Sequence, residues 1–141
     1  MLENVKGLAQ RRFDSYRAQI LKELRNLGFK AHWDLIQAAD FGVPQLRPRF
    51  ILVALQEEIV DAFEWPTPSA KRISVGEALH HLIGSRGWPG ADEWARTASE
   101  VGPTLVGGSK KHGGPDVGPT RAKEAWRKLG IKGTSIAEEA P

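Results

Sequence analysis

The stretch of this chain best suited to chemistry carries polar side chains at alternate positions, Gln45, Arg47 and Arg49. Proline favours extended backbone in the residue before it, so Pro44 and Pro48 predict an extended segment here. Side chains of an extended chain repeat every two residues, which predicts that the three polar groups share one face. An arginine fork binds a carboxylate, a phosphate or the carbonyl edge of a base through paired hydrogen bonds. The alternative is that both arginines pair with surface acids.

The surrounding pattern predicts the elements that position these side chains. Apolar residues at helical spacing follow Asp14, a predicted N-cap, and end before Gly28, which predicts an amphipathic helix over 14–27. A strand is predicted over 29–39, and a returning strand over 48–55 is predicted to pair with it antiparallel. Shorter helices are predicted over 74–83 with Ser74 as the cap, over 92–100 and over 120–129.

A second motif, Glu-Asn-Val at 3–5, precedes the predicted helix, and Gly-Val-Pro-Gln-Leu-Arg-Pro-Arg at 42–49 follows the predicted strand. In order and spacing these motifs resemble the DNA (cytosine-5)-methyltransferases, in which Glu-Asn-Val is followed by a helix, a strand and Gly-Val-Pro-Gln-x-Arg-x-Arg. The stretches at 63–68 and 74–79 resemble later parts of the same family. The glycine-rich segment 102–114 resembles the beginning of the target-recognition region in some bacterial members.

The resemblance implies an α/β fold. The chain is expected to contain the C-terminal portion of a Rossmann-like methyltransferase sheet, built from a helix, an antiparallel strand pair and a further helix, followed by the loop-rich start of the target-recognition region. The implied division is a partial catalytic domain over 1–84 and a linker with the start of the recognition region over 85–141.

The resemblance also implies roles for individual residues. In similar enzymes the glutamate of Glu-Asn-Val, here Glu3, hydrogen-bonds N3 and the exocyclic amine of the target cytosine, and the second arginine, here Arg49, donates to O2. These two residues are the expected catalytic groups. Asn4, Gln45 and Arg47 are expected to bind the substrate less directly, Asn4 by ordering the turn, and Gln45 and Arg47 by supporting the loop or the backbone.

The segment 107–132 is strongly basic, with seven lysines and arginines against two acidic residues. A basic, glycine-rich segment can approach a phosphate backbone and gain affinity by releasing counterions. Taken with the resemblance, this predicts DNA contacts from Lys110, Lys111, His112 and Arg121. The alternative reading of the charge alone is a solvated surface helix preceded by a flexible loop.

The chain has no cysteine and no Phe-x-Gly-x-Gly turn. Family members attack the base with the cysteine of a Pro-Cys loop and hold S-adenosylmethionine at that glycine-rich turn. The resemblance therefore implies a methyltransferase part that is inactive alone, whose cofactor site is not in this chain. The apolar faces left by a partial sheet predict a complementary methyltransferase polypeptide or self-association.

Other features exclude some classes of protein. Without cysteine there is no disulfide and no thiolate metal site, which suits a cytoplasmic protein, and no metal site of another kind is predicted. His80 and His81 are neighbours, which is not the i, i+4 spacing of helical metal ligands. No apolar run is long enough to span a membrane.

Three functions remain open from the sequence. The first is one part of a DNA cytosine-5 methyltransferase that acts only when joined to a polypeptide with the Pro-Cys loop and the cofactor pocket. The second is a non-catalytic DNA-binding or specificity subunit. The third is an inactive remnant of a truncated methyltransferase.

Overall fold

The computed structural model describes residues 1–106 and 116–134. Its helices and strands, in chain order, are β1 (Leu2–Val5), α1 (Asp14–Asn26), β2 (Phe29–Gln37), β3 (Gln45–Leu46), β4 (Pro48–Gln56), α2 (Val75–Gly84), α3 (Ala91–Thr97), β5 (Gly102–Pro103) and α4 (Thr120–Lys128). The α/β class predicted from the sequence is confirmed.

The chain forms two compact units. The first comprises residues 1–37 and 48–68, and the second comprises residues 38–47 and 69–141. These units are defined by packing. The predicted division at residue 84 separates two functions, and it stays a prediction.

The first unit contains a three-stranded antiparallel sheet in the order β1-β4-β2. The apolar run of the central strand β4 provides its core, because Phe50 and Leu52 are buried and Leu52 is only 1% exposed. The ring of Trp33 on β2 stacks on Phe50, with centroids 4.7 Å apart. The predicted antiparallel pairing of the returning strand with the strand after α1 is therefore confirmed.

Helix α1 begins at Asp14 as predicted, but Asp14 is not its cap. Phe13 holds the N-cap position and makes no capping hydrogen bond through its side chain. The carboxylate of Asp14 instead accepts from Nη2 of Arg17 at 2.5 Å, because an arginine three residues later lies on the same side of the helix. Gly28, at φ +83°, follows the end of the helix in the left-handed conformation that glycine tolerates best.

The second unit has its core where α2, α3 and α4 meet. Val75, Trp94, Ala98, Trp126 and Leu129 form the buried cluster. Helix α2 begins with a capping box, in which Ser74 accepts from the backbone N–H of Glu77 and the Glu77 carboxylate accepts from the N–H of Ser74. The predicted cap at Ser74 is confirmed. Helix α3 is shorter than predicted, since it ends at Thr97 rather than at residue 100.

The segment around the alternating polar residues is divided between the two sheets. Strand β3 pairs parallel with β5, so that Gln45 lies opposite Gly102, whereas Arg49 belongs to β4 of the three-stranded sheet. The N–H of Gly102 donates to the carbonyl of Pro44 at 3.0 Å, which attaches this end of the segment to the second unit. Gln45 and Arg49 therefore lie in strands of different sheets, and the shared face of Gln45, Arg47 and Arg49 stays a prediction.

No helix among residues 1–106 and 116–134 is long and apolar enough to cross a membrane.

Candidate functional site

The two residues expected to be catalytic are in direct contact. Nε of Arg49 lies 2.5 Å from Oε1 of Glu3, and the two side chains are 22% and 56% exposed. Nη1 of Arg49 also donates to the carbonyl oxygen of Pro48 at 2.9 Å. The guanidinium is therefore oriented by two contacts and keeps further N–H groups that a ligand can use.

The strand register explains this contact. Val5 lies opposite Arg49, and Glu3 lies opposite Ile51. Paired residues of an antiparallel ladder point to the same face, and residues two apart along a strand do as well. Glu3 and Arg49 are therefore diagonal neighbours on one face of the sheet, while the buried Phe50 points to the other face.

Asn4, which was expected to order a turn, lies instead in strand β1 opposite Phe50. Because neighbouring residues of a strand alternate, its side chain leaves the sheet on the face opposite that of Glu3. Its Oδ1 accepts from the backbone N–H of Val5 at 2.8 Å. The structure therefore does not bring Asn4 to the face shared by Glu3 and Arg49.

The other predicted site residues are located elsewhere. Gln45 is partly buried in β3, and Arg47 is exposed between β3 and β4. Arg121 is exposed in the first turn of α4. Lys110, Lys111 and His112 lie outside the described residues.

Arg17 is a residue of this unit that the sequence reasoning missed. Its Nη1 donates to the carbonyl oxygens of Leu8 at 2.5 Å and of Gln10 at 3.1 Å, and its guanidinium carbon lies 5.6 Å from the centre of the Phe50 ring. It thereby attaches the backbone that follows β1 to α1 and to the core of the sheet. The sequence held only a partial signal, the i, i+3 spacing from Asp14, because the two carbonyl contacts depend on how the chain bends after β1.

This site can offer a flat polar ligand both a hydrogen-bond donor, from Arg49, and an acceptor, from Glu3. An ion pair between partly exposed side chains contributes only about 0–1 kcal/mol, so a ligand that satisfies both groups can replace it. The guanidinium requires an acceptor and the carboxylate requires a donor. A pyrimidine edge that presents a carbonyl oxygen, a ring nitrogen and an exocyclic amine meets both requirements. Among the described residues no group of three or more acidic or histidine side chains could hold a metal ion.

The chain belongs to the C-5 cytosine-specific DNA methylase family, whose model matches residues 1–124. It is 53% identical over all 141 residues to Type II methyltransferase M.NaeI from Lentzea aerocolonigenes. It is 44% identical over 107 residues, 75% of the chain, to Type II methyltransferase M.NgoMIV from Neisseria gonorrhoeae.

The chain spans about a third of these relatives, since each match covers 34% of the relative's length. A solved structure of a prophage-encoded DNA modification methyltransferase from E. coli matches 55% of the chain and 23% of its own length, with a TM-score of 0.44 and 19% identity. At that similarity the solved structure adds nothing to the family assignment.

Proposed function

We propose that this chain supplies the target-base contacts of a DNA cytosine-5 methyltransferase, with Glu3 and Arg49 binding the cytosine that is methylated. The observation that carries the proposal is the 2.5 Å contact between these two side chains on one face of the sheet. Two groups that meet in the protein alone are close enough to bind neighbouring atoms of one ring. We further propose that this sheet is the C-terminal portion of a Rossmann-like methyltransferase fold.

The chemistry of the base explains why these two groups are useful. Cytosine C5 is a poor nucleophile until a thiolate adds at C6, which moves electron density onto N3 and O2. Arg49 donates to O2 as that charge develops, and Glu3 binds the exocyclic amine and shares a proton with N3. A donor that acts mainly on charge formed along the reaction path lowers the barrier, often by about 3 kcal/mol in a dry site.

The ion pair of Glu3 with Arg49 has a role before the base arrives. It keeps both side chains over the same face, so both are already near the base when the base replaces their contact. Its partial exposure keeps the replacement inexpensive, whereas a buried pair with one partner removed would cost about 3–5 kcal/mol.

The target base must leave the duplex to reach this face, at a cost of a few kcal/mol. The recognition region is proposed to begin within residues 85–141 and to hold the DNA during that step. Lys110, Lys111, His112 and Arg121 are proposed to contact phosphates or the groove, and Gln45 and Arg47 to support the loop between the strands.

The residues of this chain do not fit the methyl donor. Family members use S-adenosylmethionine, yet the 141 residues contain neither the Phe-x-Gly-x-Gly turn nor any cysteine. We therefore place the nucleophile and the cofactor site outside these 141 residues and derive no step through the cofactor. The partners proposed are DNA and a complementary methyltransferase polypeptide, or a second copy of the chain. The Type II methyltransferase relatives favour a place in restriction–modification in the cytoplasm.

Complementation tests the proposal. The chain is mixed with the remaining part of the Lentzea aerocolonigenes relative, DNA and labelled S-adenosylmethionine, and methyl transfer is measured. We expect transfer that Glu3→Gln and Arg49→Ala each reduce about 100-fold or more. A matched control is the exposed pair of Lys30 with Glu57, 3.1 Å apart, whose variants Lys30→Ala and Glu57→Gln should leave transfer unchanged.

Each outcome has a meaning. Transfer that survives both site substitutions rejects the proposed roles of Glu3 and Arg49. Specific DNA binding without any transfer favours a non-catalytic DNA-binding or specificity subunit. Neither binding nor transfer favours an inactive remnant.

A further inference from the structure

We propose that a cleft beside the C-terminal half of α4 binds a phosphate group of the DNA backbone. The cleft has a volume of about 520 Å³ and is lined by Lys123, Arg127, Lys132 and the turn over 130–134. This inference rests on the proposed function for the identity of its ligand, and it concerns residues that are distinct from Glu3 and Arg49.

Helix α4 is held firmly enough to present a preformed site. Trp126 and Leu129 are buried in the core of the second unit, which fixes the rotation of the helix about its axis. Lys123 and Arg127 are four residues apart, so they lie one above the other on the same side of the helix. Both therefore line the same cleft without rearrangement of the backbone.

The opposite wall of the cleft is a turn that glycine keeps close to its neighbours. Gly130, at φ +71°, ends the helix, and the N–H of Ile131 donates to the carbonyl of Trp126 at 3.1 Å. A Cβ on Gly133 would lie 2.1 Å from Cγ2 of Val117, so only glycine permits this close approach. The turn is thereby packed against the structure, and it carries Lys132 to the cleft.

Charge makes the cleft suitable for an anion. The residues that line it, all within the described part of the chain, include three cations and no acidic residue. Two of the cations have acidic partners outside the lining. Lys123 pairs with Asp116, which is only 4% exposed, and Arg127 pairs with Glu124 on the exposed side of α4.

The two ion pairs have different consequences. Asp116 is buried and also accepts from the N–H of Gly118 at 2.8 Å, so it holds Lys123 at the edge of the cleft. The exposed pair of Arg127 with Glu124 is weak and occupies only part of the guanidinium. A phosphate can therefore bind the remaining N–H groups of Arg127 or displace Glu124.

A phosphodiester suits this cleft better than an isolated anion. Arg121 is a further exposed cation of the same helix, so the positive charge extends beyond the cleft. A polyanion with a repeating phosphate can use such an extended surface, and its binding gains from counterion release. Free inorganic phosphate would use the cleft alone.

Salt-dependent DNA binding by the whole chain tests the proposal. The affinity for a fluorescent duplex is measured by anisotropy at several salt concentrations, for Arg127→Ala, Lys132→Ala and the control Lys128→Ala. The control removes the same charge from the same helix but does not line the cleft. Lys123 is left unchanged, since its removal would strand the buried Asp116.

We expect Arg127→Ala and Lys132→Ala each to weaken binding about tenfold. Each should also make the negative slope of log affinity against log salt shallower by about 0.9, the value for one phosphate contact. Lys128→Ala should change the slope much less. Glu124→Gln should strengthen binding, since it removes the acid that competes for Arg127. Circular dichroism melts confirm that each variant is folded.

Three results would overturn the cleft. The first is an equal salt slope for all three alanine variants, which indicates diffuse attraction. The second is a chain that binds no duplex. The third is a melting temperature raised by inorganic phosphate together with unchanged DNA binding in the variants, which indicates a site for the free anion. The proposed function is judged separately by the Glu3 and Arg49 variants in the transfer assay. Failure of one proposal is therefore distinguishable from failure of the other.

Discussion

Arg49 and Glu3 form an ion pair across neighbouring antiparallel strands, although a helix and two further strands separate them in the chain. The pair lies diagonally on the ladder, and the same residue alternation that brings the charges together turns Phe50 into the core. A side chain proposed to bind the target base and a side chain that stabilises the sheet thus occupy adjacent positions of one strand. Their effects on stability and on function can be separated by substitution.

The first prediction concerns this separation. Glu3→Gln should lower the free energy of unfolding by less than about 1 kcal/mol, because the ion pair is partly exposed. Phe50→Ala should lower it by about 3–5 kcal/mol, because it removes a buried ring stacked on Trp33. Urea denaturation of both variants measures the difference. A large loss of stability in Glu3→Gln would show that the pair is a structural element and would weaken its assignment to base binding.

The second prediction concerns Arg17. Arg17→Met keeps much of the apolar stem but removes the hydrogen bonds to the carbonyl groups of Leu8 and Gln10 and to Asp14. The free energy of unfolding should fall by about 1–3 kcal/mol, because the carbonyl of Leu8 is partly buried and loses its charged donor. Arg25→Met, at an exposed position of the same helix, should change it by less than about 0.5 kcal/mol. Equal losses would mean that the carbonyl contacts add nothing.

The extent of prediction from sequence follows from how local each interaction is. The helix and strand periods and the cap at Ser74 depend on residues close together in the chain, so they could be read directly. The contact of Glu3 with Arg49 depends on a pairing between distant strands, whereas the resemblance to the methyltransferase family implied only that both residues bind one base. The assignment of Gln45 and Arg49 to different sheets could not be read, because the hydrogen-bond partners of β3 come from the segment around Gly102.

The third prediction concerns pH and the capping box of α2. Hydrogen bonds from Lys71 and then from Ser74 lower the pKa of Glu77 from 4.5 to about 2. A carboxyl whose pKa is lower in the folded state stabilises the fold fully above the unfolded value, and this contribution is lost as the pH falls from about 4.5 towards 2. Above that range it is constant.

Thermal melts between pH 2 and pH 6 measure this effect. The melting temperature of the wild type should fall more steeply on acidification than that of Glu77→Gln, whose side chain does not titrate. Ser74→Ala should lower stability by about 1 kcal/mol near neutral pH through loss of the cap. Parallel curves for the wild type and Glu77→Gln would contradict the lowered pKa.

The last prediction concerns the free edge of the three-stranded sheet. Within residues 1–106 and 116–134, strand β1 pairs only with β4. All four of its residues are exposed, and Leu2 and Val5 are 54% and 62% exposed. An edge strand with unpaired backbone groups and apolar side chains favours the addition of another strand. We therefore expect the isolated chain to associate with itself or with the complementary part of a methyltransferase.

Sedimentation velocity over a range of concentrations tests this edge. The wild type should show a dimer or larger species, and Leu2→Lys with Val5→Lys should shift it towards the monomer, because charged side chains oppose strand addition. Leu82→Lys, at an exposed position of α2, is the control and should leave the distribution unchanged. A monomeric wild type with a sharp cooperative melt would contradict this prediction, because the chain would then be stable without a partner on this edge. Evidence for a complementary polypeptide would then have to come from the transfer assay.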